Sequence, residues 1–97
     1  MKIFVTNAPN TSDLLPPSQY DSWIDYWETR TGIYLDEQTQ YECPLCKKGA
    51  LRSEMNGCHV EKLSDGGHKL YIIPGCDHCN PKKKVFKVDE SLLVPVP

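Results

Sequence analysis

An α+β fold is what this sequence predicts, on three observations. Two Cys-x-x-Cys pairs, Cys43-Pro-Leu-Cys46 and Cys76-Asp-His-Cys79, are separated by 29 residues in a chain of 97. One segment carries Tyr20, Trp23, Ile24 and Trp27 at helical spacing. Short β-branched stretches, bounded by turn formers, flank both features. Four thiolates in two close pairs are the tetrahedral donor set that a structural zinc ion prefers, each pair wrapping a tight turn around one edge of the metal. The expected architecture is a small zinc-stabilised treble clef of knuckle, β-hairpin and short helix, preceded by a strand and an amphipathic helix.

Along the chain, Lys2 to Thr6 reads as a short strand, and Asn7 to Pro17 as a loop rich in Pro, Asn, Ser and Asp. Ser18 offers an N-cap for the helix and Gly32 its terminator. The aromatic stripe of that helix is expected to face the core. Ile33 to Tyr41 is an irregular lead into the knuckle at Cys43 to Cys46, whose turn Lys47 to Gly49 closes. Gly57 to Leu63 and Lys69 to Ile73 are strand candidates joined by Ser64-Asp65-Gly66-Gly67, a suitable hairpin bend. Cys76 to Cys79 then opens a short helix, with Pro81 in its first turn. Val85 to Val88 can form another strand, and Val94 to Pro97 ends extended because neither proline suits a helix interior. Residues 1–97 thus form one domain, with a strand and helix segment over 1–42, a zinc module over 43–88 and an extended tail over 89–97.

A domain of this length buries only somewhat more than roughly 60% of its unfolded surface, which makes a metal staple physically sensible. Five cysteines, an odd number, with no apolar leader behind Met1 to Val5, point away from a secreted disulfide scaffold and toward reduced thiols in the cytoplasm. A redox dithiol or iron–sulfur ligation would be the other uses of such pairs, but a redox pair belongs in a βαβ context that this sequence lacks. No apolar run approaches the roughly 18 residues needed to span a bilayer. The formal net charge of −2 is unevenly spread: residues 1–42 carry −5, residues 43–87 carry +5 and the remainder −2. Lys82, Lys83 and Lys84, with Lys87, Lys47 and Lys48, are candidate phosphate contacts on the basic half, the alternative being a solvated edge.

Cys58 is left over from the quartet, either as a small buried hydrophobe or as a fifth, exchangeable ligand. His78 lies between two ligands and His68 beside the hairpin bend, so both are expected to face solvent. His59 and Asn80 invite more. The order Cys-x-x-Cys, His59, then Cys-x-x-Cys-Asn80, with His59 preceding Asn80 by 21 residues, resembles the HNH or ββα-metal nucleases. It is most similar to the zinc-bearing phage recombination endonuclease VII group. The run His59-Val60-Glu61-Lys62-Leu63-Ser64-Asp65-Gly66-Gly67 also looks like the stretch that follows the histidine in that family. The resemblance covers residues 43–80.

It implies a metal-dependent DNA endonuclease: His59 as general base activating water, and Asn80 holding magnesium or manganese at a second site. The zinc would only fix geometry. Cys58 stands where the family places an aspartate, and a thiol matches a hard cation poorly, so a degenerate, binding-only member is within the same reading. Without catalysis, His59 would be a hairpin histidine bonded within the fold and Asn80 a brace for the knuckle. The rival class is a non-catalytic zinc module that binds another protein through its acidic, aromatic N-terminal part and the Val94 to Pro97 tail. Neither the oligomeric state nor the substrate is written in these motifs.

Overall fold

Five antiparallel strands form the backbone of the structure, a computed structural model that describes residues 1–8, 11, 14–66, 69–77, 79 and 84–97. In chain order the elements are β1 (Lys2–Asn7), α1 (Trp23–Thr31), β2 (Tyr41–Glu42), β3 (Gly49–Ala50), β4 (Met55–Lys62), β5 (Tyr71–Cys76), β6 (Val85–Asp89) and β7 (Val94–Pro95). The main sheet has the order β6-β1-β4-β5-β7, and β2 and β3 form a separate two-stranded ribbon around the knuckle. The α+β class therefore holds, with one α-helix among the described residues against antiparallel strands.

Alternation along β1 explains why the first residues become central. Val5 is fully buried while Phe4 is exposed, and the strand pairs with β4 through Val5 to Asn7 and with β6 through Lys2 to Thr6. The first segment is thus woven into the same sheet as the knuckle. β5 behaves differently: all six of its residues are buried, the pattern of a strand covered on both faces. The hairpin runs further toward the cysteines than the expected spans, from Val60↔Tyr71 to Met55↔Cys76. Pro74 is tolerated in it because β7 pairs only with Tyr71 and Ile72, leaving the rest of that flank an edge.

The helix starts four residues later than Ser18 would place it. Ser22 caps it, its Oγ accepting from the Asp25 N–H at 3.2 Å, and Tyr20 stays outside to meet the Tyr26 ring edge-on at 5.2 Å. Gly32 ends it as expected, at φ 76°, with its N–H on the Glu28 carbonyl. Trp27 is fully buried and donates its Nε1–H to the Leu92 carbonyl, while the Tyr26 hydroxyl donates to the Pro95 carbonyl. These two bonds fasten the tail segment to the helix. Residues 92–95 are docked under α1, and Val94 is buried beside Ile72 because the aromatic handles of the helix need acceptors there.

Two contacts tie the helix to the knuckle ribbon. Trp27 meets Tyr41, and buried Glu28 takes both Nε and Nη2 of Arg52 at 2.9–3.2 Å while accepting the Leu35 N–H at 2.7 Å. The Arg52 guanidinium is held charged above its ordinary range, chiefly by that hydrogen bonding. Arg52→Ala would strand a carboxylate whose side chain is only 4% exposed. The expected loss is about 2–4 kcal/mol, below the fully buried range because Arg52 itself reaches solvent, read as a lowered urea midpoint at unchanged slope. Changing both residues to apolar ones should recover part of it.

Candidate metal centre

The knuckle forms because Cys43 and Lys47 close on one another: the Lys47 N–H donates to the Cys43 carbonyl and the Cys43 N–H to the Lys48 carbonyl, both at 2.8 Å. Lys47 adopts φ 69°, left-handed, and its ammonium donates to the Pro44 and Lys87 carbonyls, pinning the turn to β6. Lys47 is thereby engaged in the fold. The second pair sits at the end of β5, where the Cys79 N–H returns to the Cys76 carbonyl at 2.9 Å. The helix expected after it, with Asn80, Pro81, Lys82 and Lys83, lies outside the described residues, as do Gly67, His68 and His78.

All four ligand sulfurs, Cys43, Cys46, Cys76 and Cys79, lie within 4.8 Å of one another. Individual separations are 4.0 Å for Cys43–Cys79, 3.6 Å for Cys46–Cys76 and 3.3 Å for Cys76–Cys79. A tetrahedron with metal–sulfur bonds near 2.3 Å has edges of about 3.8 Å, so the quartet could hold a metal ion and is compatible with zinc. No disulfide joins them; every cysteine is free. Burial pushes the Cys43 and Cys79 thiols up. Burial also opposes ionisation of Cys46, but hydrogen bonds from the Lys48 backbone and the neighbouring thiols outweigh it and hold this thiol at about 7. Sulfurs this close ionise together only with a cation among them, and a divalent metal supplies that charge.

Cys58 stands apart from the quartet. It lies on the sheet face opposite α1, where a Cβ on Gly75 would fall 2.6 Å from its sulfur and 2.9 Å from Leu45 Cδ1. Burial, followed by the charges of Cys43 and Cys76, drives its thiol up to about 12. It is the buried hydrophobe of the two readings.

His59 points the other way, toward α1. Its ring meets Trp23 edge-on, with centroids 4.8 Å apart at 85°, and its carbonyl accepts the Ala8 N–H at 2.9 Å. Gly57, two residues earlier on the same face, lets the helix start this close: a Cβ there would sit 2.5 Å from Trp23 Cβ. Between them lies a cavity of about 200 Å³ lined by Asn7, Ala8, Thr11, Leu14, Trp23, Gly57 and His59. His59 is 7% exposed, and its Nε2 is buried with no hydrogen-bond partner among the described residues. Burial lowers its pKa, which keeps the imidazole neutral. Asn7 donates from Nδ2 to the Cys79 carbonyl at 3.0 Å, tying the cavity wall to the second cysteine pair.

Sequence reasoning missed the part of Asn7 and Trp23 in this cavity. Trp23 belongs to a stripe that reads as pure core, and only Gly57, a glycine in mid-strand, hints at the close approach. Of the lysine patch, Lys47, Lys48, Lys84 and Lys87 are described and exposed, with the Lys84 and Lys87 ammoniums 5.6 Å from the Phe86 ring and 5.9 Å from the Phe4 ring respectively. Among the described residues no helix is long and apolar enough to cross a membrane. Comparison of the chain with protein-family models, with curated proteins and with solved structures returns no match.

Proposed function

We propose that this chain is an HNH-like module of treble-clef type, stabilised by structural zinc, that acts on DNA as a metal-dependent phosphodiester hydrolase. The observation that carries the reading is the state of His59. A general base needs a ring nitrogen free to take a proton and a pKa low enough to be unprotonated at neutral pH. His59 offers both, with Nε2 unpartnered among the described residues beside a cavity, and burial holding the ring neutral. The perpendicular contact with Trp23 restrains the ring, so that the proton of an attacking water would pass to a nitrogen already in place.

Zinc suits the quartet because four sulfurs close the coordination sphere, which makes the ion structural and not reactive. The reactive metal of the resemblance, magnesium or manganese, would be held by Asn80 and would supply charge stabilisation at the scissile phosphate. Lys82, Lys83, Lys84 and Lys87 would neutralise backbone phosphates.

A non-catalytic zinc module, binding DNA or a protein, is favoured by one observation: among the described residues the cavity lining carries no carboxylate, and Cys58 is turned away as an un-ionised thiol. Purified zinc-loaded protein incubated with plasmid and branched DNA in magnesium or manganese separates the two. Nicking that requires the added metal supports the hydrolase; intact DNA in both metals leaves only the binding module.

A further inference from the structure

β4 runs on past the end of its neighbour β1, and the cavity at His59 lies along the stretch left over. The His59 carbonyl takes the Ala8 N–H, and main-chain groups two residues apart on a strand face the same side, so Gly57 turns its N–H and C=O to that flank as well. β1 no longer covers it, since its pairing with β4 ends at Asn7↔Val60. Among the described residues no main-chain bond reaches Gly57 from this side. An unpaired main-chain amide away from water costs about as much as a lost hydrogen bond, so such an edge calls for a partner. His59 adds a second open position, its ring 7% exposed and its Nε2 buried without a partner among the described residues.

The rest of the lining sets the kind of partner. Among the described residues no charged side chain stands in the wall, and burial keeps His59 itself neutral. An ion would enter without a counter-charge and lose its water for nothing. One wall is the Trp23 indole, fixed by its Nε1–H on the Leu14 carbonyl at 3.0 Å and by the edge-on contact with His59. Volume sets the size. A cavity of about 150 Å³ holds one benzene ring, so this one, at about 200 Å³, takes a single ring or a small fused pair and not a whole nucleotide or a stretch of peptide.

We propose that the His59 cavity binds an uncharged nucleobase ring, its polar edge on the Gly57 main chain and His59 Nε2 and its body against Trp23. Every base carries donors and acceptors side by side on one edge, which a main-chain N–H and C=O can satisfy together. Its flat ring suits an aromatic wall. The inference goes beyond the hydrolase reading: a ring seated there would take Nε2 from the attacking water, so binding and cleavage compete for one nitrogen. A base inside a duplex is stacked and paired, so the ring comes from a free nucleoside or from an unpaired base of a strand.

The test is a nitrogen–proton correlation spectrum of the zinc-loaded full chain, without magnesium or manganese, titrated in turn with each deoxynucleoside, with a single-stranded oligonucleotide of about ten nucleotides and with inorganic phosphate. The Gly57 and His59 amide signals and the Trp23 indole signal should shift saturably with at least one nucleoside. The Gly57 amide proton should exchange more slowly once it is bound. His59→Phe keeps a ring beside Trp23 but removes Nε2, and should weaken binding roughly 5- to 100-fold. Ala8→Leu, which adds bulk to the lining, should abolish it. Zinc content and thermal midpoints check that both variants fold, and the parent's spectra stand without either. Equal shifts with the oligonucleotide identify an unpaired base of a strand as the source; shifts with nucleosides alone identify the free nucleoside. The proposal is overturned if neither moves these signals, if phosphate moves them as much, or if folded Ala8→Leu still binds. Saturable shifts in a protein that cleaves no DNA would leave the cavity standing without the hydrolase. Metal-dependent cleavage with unmoved signals would do the opposite.

Discussion

Stripping the metal at neutral pH is expected to abolish the cooperative unfolding transition of this protein. Structural zinc contributes about 10–16 kcal/mol in small finger peptides, a range that matches the whole stability of an ordinary domain at about 5–15 kcal/mol. The four sulfurs here join three separate pieces of chain: a two-residue ribbon at β2 and β3, the end of β5, and the turn after Cys76. Without the cation, close buried thiols return to their protonated form and the knuckle loses the metal–sulfur bonds that join its two cysteine pairs. Chelator should release one zinc per chain, detected with a chromogenic indicator, and circular dichroism should lose its melting transition. Cys43→Ser and Cys79→Ser should behave like the stripped protein. Cys58→Ala should not: it removes one buried sulfur beside Leu45, costs about 1 kcal/mol on the scale of a methyl-sized deletion, and keeps the full zinc content. A Cys58 variant that loses the metal, or a chelated protein that melts as before, would overturn the four-sulfur assignment.

How much of this was legible beforehand divides along physical lines. The quartet was, because thiolate spacing in the chain translates directly into a metal site, with few alternatives. The strands at Lys2, Gly57, Lys69 and Val85 were, because β-branched alternation against turn residues is local information. What escaped was decided by distant partners. Ser22 rather than Ser18 caps α1, since Trp23 must sit over Gly57 and donate to the Leu14 carbonyl, contacts that no window of the sequence contains. Glu28 reads as a solvent-facing helix residue until Arg52 and the Leu35 N–H are brought to it. Val94 to Pro97 reads as extended, but its place under α1 shows only once Tyr26 donates to the Pro95 carbonyl and Trp27 to that of Leu92. For the candidate site, the sequence singled out His59 but could not say which way it faced. The register of β4 settles that: Cys58 and His59 fall on opposite faces, so the Cys58 thiol is not beside the histidine's ring.

That orientation makes His59 the position where substitution should speak most clearly about chemistry. If the neutral imidazole is the base, His59→Ala is expected to lower metal-dependent cleavage by about 10²–10⁴-fold, the usual contribution of a positioned proton acceptor. The zinc content should stay the same, because none of the four sulfurs touches the ring. Burial holds the pKa of His59 below the ordinary 6.5, so the parent's rate should rise with pH to a plateau whose midpoint lies below 6.5. Stability carries the same signature. The folded state resists protonation while the unfolded chain does not, so stability is lost as pH falls through 6.5 and levels off below the folded pKa. His59→Gln keeps a polar side chain of similar length, cannot act as the base, and should remove that acid-side slope; it stands in should the alanine variant fail to fold against Trp23. A histidine that only fills space would give a different pattern, with thermal midpoints shifted by the cavity left beneath Trp23 and the cleavage rate of folded protein unchanged. Cleavage by His59→Gln at the parent's rate would therefore end the catalytic reading, whatever happens to stability.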